Sequence, residues 1–256
     1  MRQTVRSDGS SKTVTVTEDK NSYNGETWLI ETEGSGCSSC GSTDAEVRLY
    51  KYDDKWNLRE LVVGEKTEDG EVTGVKTTMT YDSRGRMLSK TEAVGTDVER
   101  TTTWTWHSDF NKPLTETRKS VDSPSNDMTI IYTYDNHANL LSKTVEGYSG
   151  GQMFSHTTTY KYDSHGHVTE IDGPRDDVDD RTVYTYDPSK GYLTSITYPN
   201  GTIYYSGYDG NHRVGTITDL NDNSTTYTYD YAGRVKTITV GTDATTKYTY
   251  DNVGNI

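Results

Sequence analysis

The chain has 256 residues, and its 39 acidic against 26 basic side chains give a formal net charge of −13 at pH 7. This acidic balance argues against a nucleic-acid partner, whose phosphates require a basic face, and no run of about 18 apolar residues indicates membrane insertion. Hydrophobic residues make up only 30%, yet the chain holds 21 Tyr against 2 Phe. Because Tyr joins an apolar body to a polar tip, this composition predicts an all-β fold with little dry core.

Residues 1–44 contain no copy of the Tyr-Asp dipeptide described below, and we expect them to form a β-rich segment of degenerate repeats. Residues 1–9 lack the apolar run of a signal peptide, and residues 11–17 alternate as a strand does. Cys37 and Cys40 then lie in a Gly/Ser-rich loop. Such a pair can be half a zinc site, a redox pair, a local disulfide or two free thiols. No second Cys pair supports zinc and no βαβ context supports redox catalysis, so we expect no metal and no cofactor.

Residues 45–256 contain an internal repeat marked by a Tyr-Asp dipeptide. Its spacing is loose at first and shortens to 21 residues, as from Tyr229 to Tyr250. Trp106-His107 occupies the same place in a degenerate copy. The dipeptides are Tyr52-Asp53, Tyr81-Asp82, Tyr134-Asp135, Tyr162-Asp163, Tyr186-Asp187, Tyr208-Asp209, Tyr229-Asp230 and Tyr250-Asp251.

The residues around the dipeptide predict a β-hairpin in each repeat. Tyr-x-Tyr places two aromatic rings on one strand face, and Asp opens a turn by accepting backbone N–H bonds. A Gly three residues later supplies the positive φ that closes the turn; it is Gly85, Gly166, Gly233 and Gly254 in the clearest copies. About nine such hairpins, each contacting only its neighbours, would form one continuous sheet.

These motifs resemble the RHS/YD-repeat family, which takes its second name from the dipeptide. Its members include bacterial polymorphic toxins, insecticidal toxin complex subunits, wall-associated bacterial proteins and teneurins. The resemblance implies stacked β-hairpins in a curved or spiralling antiparallel sheet, part of a shell that in the toxins holds a C-terminal toxic domain. It also implies a secreted or cell-surface bacterial protein, and in that oxidising setting a disulfide between Cys37 and Cys40.

Several other side chains are weighed as sites. His165 and His167 could place two imidazoles on one face, but their positions in the repeat predict exposed turn residues. Residues 176–180 and 219–223 resemble calcium loops only loosely, since residues 219–223 are not followed by the Gly and Glu of an EF-hand, and solvated acidic loops are expected. Trp104 and Trp106 could stack on sugars or simply pack the sheet.

No catalytic constellation is present, so we expect no enzyme. The sequence favours a structural repeat segment, forming the wall of a shell that encloses or delivers a toxin or effector cargo. The alternative is an adhesive or carbohydrate-binding surface module that self-associates through open sheet edges. Because the last repeat stops within its return strand, we expect the partners to be the remainder of a longer parent chain and its cargo domain.

Overall fold

The computed structural model describes residues 2–5, 11–21, 26–34, 46–69, 71–121, 123, 126–242 and 244–256. These residues contain twenty β-strands, which confirms the all-β prediction. The candidate disulfide of Cys37 and Cys40 lies outside the described residues. The strands are β1 (Arg2–Val5), β2 (Ser11–Asn21), β3 (Glu26–Gly34), β4 (Glu46–Tyr52), β5 (Leu58–Lys66), β6 (Val72–Tyr81), β7 (Met87–Glu92), β8 (Arg100–Trp106), β9 (Pro113–Arg118), β10 (Met128–Tyr134), β11 (Leu140–Ser149), β12 (Gln152–Tyr162), β13 (Val168–Asp172), β14 (Thr182–Tyr186), β15 (Leu193–Tyr198), β16 (Gly201–Ser206), β17 (Thr216–Thr218), β18 (Ser224–Tyr229), β19 (Val235–Val240) and β20 (Ala244–Lys247).

The chain divides into two compact units. The first comprises Met1–Tyr132 with Val145–Ser155, and the second comprises Thr133–Thr144 with His156–Ile256. Within the first unit each strand from β1 to β9 pairs antiparallel with the next. Within the second unit the same holds from β12 to β20. The predicted stacking of antiparallel hairpins is therefore confirmed.

The Tyr-Asp turns of each unit lie in a row at the same ends of its strands, because every second connection of an antiparallel meander falls on the same side. In six of the turns a register shift lies between the motif aromatic residue and the residue before it, as between Thr228 and Tyr229. The same shift occurs between Thr80 and Tyr81 and between Thr185 and Tyr186. Such a shift is the mark of a β-bulge, in which one extra residue is accommodated on one strand.

Hydrophobic burial is concentrated in the first unit. Among the described residues, five hydrophobic side chains are buried, all with 3–8% of their surface exposed: Val47, Leu49, Val62, Met79 and Ile130. Leu49 and Val62 face each other directly across β4 and β5. The described part of the chain contains no helix long and apolar enough to cross a membrane.

The chain contains 43 Thr residues, and many of them form hydroxyl pairs across neighbouring strands. Thr80 Oγ1 lies 2.6 Å from Ser89 Oγ on the neighbouring strand, and Thr228 Oγ1 lies 2.6 Å from Thr237 Oγ1. Hydrogen-bonded Thr pairs of this kind add stability to a sheet face that remains in contact with water. Further pairs join Thr91 to Thr101, Thr105 to Thr115, Thr197 to Thr202 and Thr239 to Thr245.

Candidate functional site

The Tyr-Asp turn is the repeated polar site of this molecule, and the copy at residues 230–234 shows its geometry. The Asp230 N–H donates to the carbonyl of Arg234 at 2.9 Å, and the Gly233 N–H donates to the Asp230 carbonyl at 3.0 Å. Asp230 Oδ1 accepts the Arg234 backbone N–H at 2.9 Å, and Oδ2 accepts Arg234 Nε at 2.7 Å. One carboxylate thus ties the first residue of the turn to both the backbone and the side chain of the fifth.

The fourth residue of the turn adopts the left-handed conformation. Gly85, Gly166, Gly233 and Gly254 have φ between 77° and 95°, as the sequence predicts. Residues other than Gly occupy the same position in four turns: Trp56, Ala138, Asp222 and His212, with φ between 62° and 66°. The surrounding hydrogen bonds therefore impose this conformation even where the side chain disfavours it.

The fifth residue of the turn is Arg, Asn or His, and its side chain donates to the second oxygen of the Asp carboxylate. These bonds measure 2.7 to 3.0 Å in seven turns. The Asp and its partner are Asp53 and Asn57, Asp82 and Arg86, Asp135 and Asn139, Asp163 and His167, Asp209 and Arg213, Asp230 and Arg234, and Asp251 and Asn255.

These hydrogen bonds stabilise the ionised carboxylates. For Asp230, bonds from the backbone N–H and then the guanidinium of Arg234 lower the pKa, although desolvation raises it. For Asp163, desolvation also raises the pKa, but bonds from the His167 side chain and from the N–H groups of His167 and His165 bring it to about 2. The turn Asp residues therefore act as ionised acceptors within the architecture.

The motif Tyr connects successive repeats. Its hydroxyl donates to a carbonyl at or just before the start of the return strand of the preceding hairpin, as Tyr229 does to Val214 at 2.9 Å and Tyr250 does to Val235 at 2.8 Å. Phe cannot form this bond, which explains the excess of Tyr over Phe. The other Tyr bonds join Tyr81 to Leu58, Tyr162 to Leu140, Tyr186 to Val168 and Tyr208 to Leu193.

The fifth residue of one turn also covers the motif ring of the next repeat. The guanidinium carbon of Arg234 lies 4.2 Å from the ring centroid of Tyr250, and that of Arg213 lies 4.4 Å from Tyr229. The His167 ring stacks on Tyr186 at 4.8 Å. Together the carboxylate, the fifth side chain and the next aromatic ring form a chain of contacts that runs from turn to turn along the strand ends. We call it the turn ladder.

The degenerate repeat preserves the ladder with different groups. Trp106 Nε1 donates to the carbonyl of Met87 at 2.7 Å, in place of a Tyr hydroxyl. His107 Nδ1 accepts the backbone N–H of Asp109 at 3.1 Å, in place of the Asp carboxylate. The guanidinium of Arg86 lies over the Trp106 ring at 5.5 Å. Trp106 is thus a ladder residue, as its place in the repeat predicts.

Trp104 precedes the degenerate dipeptide on the same strand. Its Nε1 donates to Glu116 Oε2 at 3.3 Å, and the residue is half-buried. Stacking of sugars on Trp104 or Trp106 stays a prediction.

One turn of the same design lacks the Tyr-Asp dipeptide. Asp219 Oδ1 accepts the N–H groups of Asn221 and Asn223, both at 2.9 Å, and Oδ2 accepts Asn223 Nδ2 at 3.2 Å. It connects β17 to β18, at the opposite ends of the strands from the turn ladder. The spacing of Asp to Asn four residues later could have revealed it, whereas a search for Tyr-Asp does not.

The acidic loop at residues 176–180 is accompanied by its own cations. Arg181 Nε lies 3.0 Å from Asp179 Oδ1, and Arg175 Nε lies 3.4 Å from Asp180 Oδ2. Asp176, Asp177 and Asp179 are exposed. These three side chains are solvated, whereas Asp180 is half-buried, which differs from the expectation of a fully solvated acidic loop.

The structure brings His165 and His167 together at one turn. Their ring centroids are 5.9 Å apart at an interplanar angle of 25°. Both line a cleft of about 660 Å³ that the turn at Asp187 closes on its other side. That second turn is one residue longer than the others, and the Gly191 N–H donates to the Asp187 carbonyl at 2.8 Å.

A comparison with protein families finds a match to the RHS repeat over residues 162–203. Solved structures similar in fold include a crystal structure of TcdB2-TccC3-Cdc42, with a TM-score of 0.59 and 15% identity over 94% of this chain. A Photorhabdus luminescens Tc holotoxin pore matches 93% of this chain with a TM-score of 0.58 and 15% identity. This chain spans 14% of the length of each of those chains. No curated protein sequence matches.

Proposed function

We propose that this chain, a structural segment of RHS/YD repeats, forms part of the wall of a secreted or surface-exposed shell that encloses a toxin or effector cargo. The RHS resemblance inferred from the Tyr-Asp turns is confirmed by the family match at residues 162–203. The likeness of fold to chains of two toxin complexes supports the enclosing role. The observation that carries the proposal is the turn ladder, because it joins each hairpin to the next without a deep core.

A wall has physical requirements that the described residues meet. It must be extendable by the addition of further hairpins. The hairpins here meet this requirement because each pairs with its neighbours in chain order. It must also hold its shape while both faces remain near water. The seven bonds from motif Tyr and Trp side chains to the preceding hairpin, 2.7 to 2.9 Å long, supply that connection.

Native-state proteolysis of the parent protein tests enclosure. We expect the segment downstream of the repeats to be cleaved much more slowly in the parent than when it is expressed alone. The Tyr208→Phe/Tyr229→Phe double variant should accelerate that cleavage, whereas the Tyr204→Phe/Tyr231→Phe double variant, which changes exposed Tyr side chains, should not. Equal cleavage rates in the parent and in the isolated segment would contradict the proposal.

An adhesive or carbohydrate-binding role is the second candidate, and exposed aromatic side chains favour it. Trp56, Tyr204 and Tyr231 are all more than half exposed. A glycan array should then show specific binding that Trp104→Ala or Trp56→Ala weakens. The absence of binding to every glycan on the array would exclude the carbohydrate-binding role. Sedimentation at two protein concentrations measures whether the sheet edges pair between copies.

A further inference from the structure

The turn at residues 163–167 differs chemically from every other turn of the described chain. It alone brings three metal-ligating groups of the His, Cys, Asp and Glu class together, and their ligand atoms lie within 4.8 Å of one another. Asp163 Oδ2 lies 2.9 Å from His167 Nδ1 and 3.9 Å from His165 Nδ1. A carboxylate and two imidazoles therefore converge on one point at the sheet edge.

The geometry of the repeat explains this convergence. In these turns the third and fifth residues lie close to the first, whose Oδ1 accepts the backbone N–H of both, as in the turns at Asp82 and Asp163. Other turns place Arg84 and Arg86, or Ala232 and Arg234, at these two positions. Two cations or an alanine cannot ligate a metal ion, whereas neutral imidazoles can.

His167 has a structural task and His165 does not. His167 pairs with Asp163 and stacks on Tyr186, as the ladder requires. His165 has 70% of its side chain exposed, and its Nδ1 lies 3.5 Å from Ser164 Oγ and 3.9 Å from Asp163. The ladder is complete without this second imidazole, so its position beside the first suggests a different use.

We propose that Asp163, His165 and His167 bind a divalent first-row transition ion such as Zn²⁺, a role that the repeat pattern alone does not predict. Imidazole nitrogen and carboxylate oxygen are good ligands for such ions. Tetrahedral Zn²⁺ holds its ligands about 2.0–2.1 Å away, and so roughly 3.4 Å from each other. The pair formed by Asp163 and His167 is already that close. The ion would take the place of the proton that His167 Nδ1 donates to Asp163, this proton would pass to solvent, and rotation of the exposed His165 ring completes the set.

The remaining coordination position would face open space. Clefts of about 660 and 630 Å³ lie on the two sides of this turn, and Asp163 and His165 line both. Water or a ligand atom from a partner molecule could occupy that position. Lys190 lines the larger cleft and is the cation that opposes binding there.

Titration of the metal-free chain with ZnCl₂ by calorimetry tests the site. Because Cys37 and Cys40 can bind Zn²⁺ themselves, the titration uses a Cys37→Ser/Cys40→Ser background. We expect one saturable equivalent of Zn²⁺, with at least tenfold weaker binding in the His165→Ala variant. His137→Ala is the matched control, since His137 holds the same position in the turn of Asp135 and should leave binding unchanged.

The control turn also permits a gain of function. Asn139 pairs with Asp135 as His167 pairs with Asp163, so Asn139→His should add a second equivalent of Zn²⁺. NMR spectra should show that the bound ion shifts the ring resonances of His165 and His167 together. Zn²⁺ binding that is undetectable, or equally strong in the His165→Ala variant with an unchanged circular dichroism spectrum, would overturn the proposal.

Discussion

The two units of this sheet protein stabilise their hairpins by different means. The first unit contains all five buried hydrophobic side chains of the described residues, and its strands reach eleven residues in β2. In the second unit no described hydrophobic side chain is buried, and β17 is only three residues long. Bonds that link motif side chains to the preceding hairpin occur in both units, and five of them are described in the second. The short, regular repeats of the second unit therefore rely on turn contacts without a buried core among the described residues.

The largest expected effect is the loss of a core side chain from the first unit. Leu49 is only 6% exposed and faces Val62. Leu49→Ala should lower the free energy of unfolding by about 2–4 kcal/mol, because it removes buried methyl groups and leaves a cavity. The same substitution at the exposed Leu141 should cost less than about 0.5 kcal/mol. Urea denaturation measures both, and equal losses would contradict the assignment of the core.

A turn substitution in the second unit should have the next largest effect. Gly233 has φ +87°, which β-branched residues rarely adopt. Gly233→Val should therefore destabilise by about 1–3 kcal/mol. Gly210→Val is the matched control, since Gly210 has open space around it and no left-handed backbone. An unchanged melting temperature for Gly233→Val would show that the turn is wrongly assigned.

The contact between turn and ring should contribute less. In the Arg234→Gln variant the side chain can still donate to Asp230, as Asn255 does to Asp251. It loses both the cation over Tyr250 and the charge of its ion pair with Asp230, so we expect a loss on the order of 0.5 kcal/mol. Lys236→Gln changes an exposed cation nearby and should have no effect. Thermal unfolding at low and high salt compares the two variants.

Acid should weaken the ladder through its carboxylates. The turn Asp residues have lowered pKa values, as for Asp209, where the Arg213 side chain is the main cause. A lowered folded pKa stabilises the protein above the unfolded value of about 4, and this contribution is lost as the pH falls further through the folded value. We therefore expect stability to fall below about pH 4, and more steeply in the wild type than in an Asp209→Asn variant. Parallel pH curves would contradict this reasoning.

The sequence predicts the hairpins well because their signals are local. Tyr-Asp and the Gly that follows fix the turns, and each clear copy folds as expected. The partner of the motif hydroxyl could not be read from one repeat, since Tyr229 bonds to a carbonyl 15 residues earlier. The left-handed backbone conformation of Trp56 and Ala138 could not be predicted either, because neither residue type favours positive φ. A search for Tyr-Asp does not find the turn at Asp219, because Thr218 precedes this Asp. The feature that defines the turn is the Asp together with its partner four residues later.

The central claim is that the motif Tyr hydroxyls stabilise the second unit, and one comparison tests it most directly. Urea denaturation of the Tyr208→Phe/Tyr229→Phe variant should show a loss of about 2 kcal/mol, roughly 1 for each hydrogen bond removed. The Tyr204→Phe/Tyr231→Phe variant removes two hydroxyls from exposed rings in the same unit and should change stability by less than about 0.5 kcal/mol. Equal losses in the two variants would contradict the account.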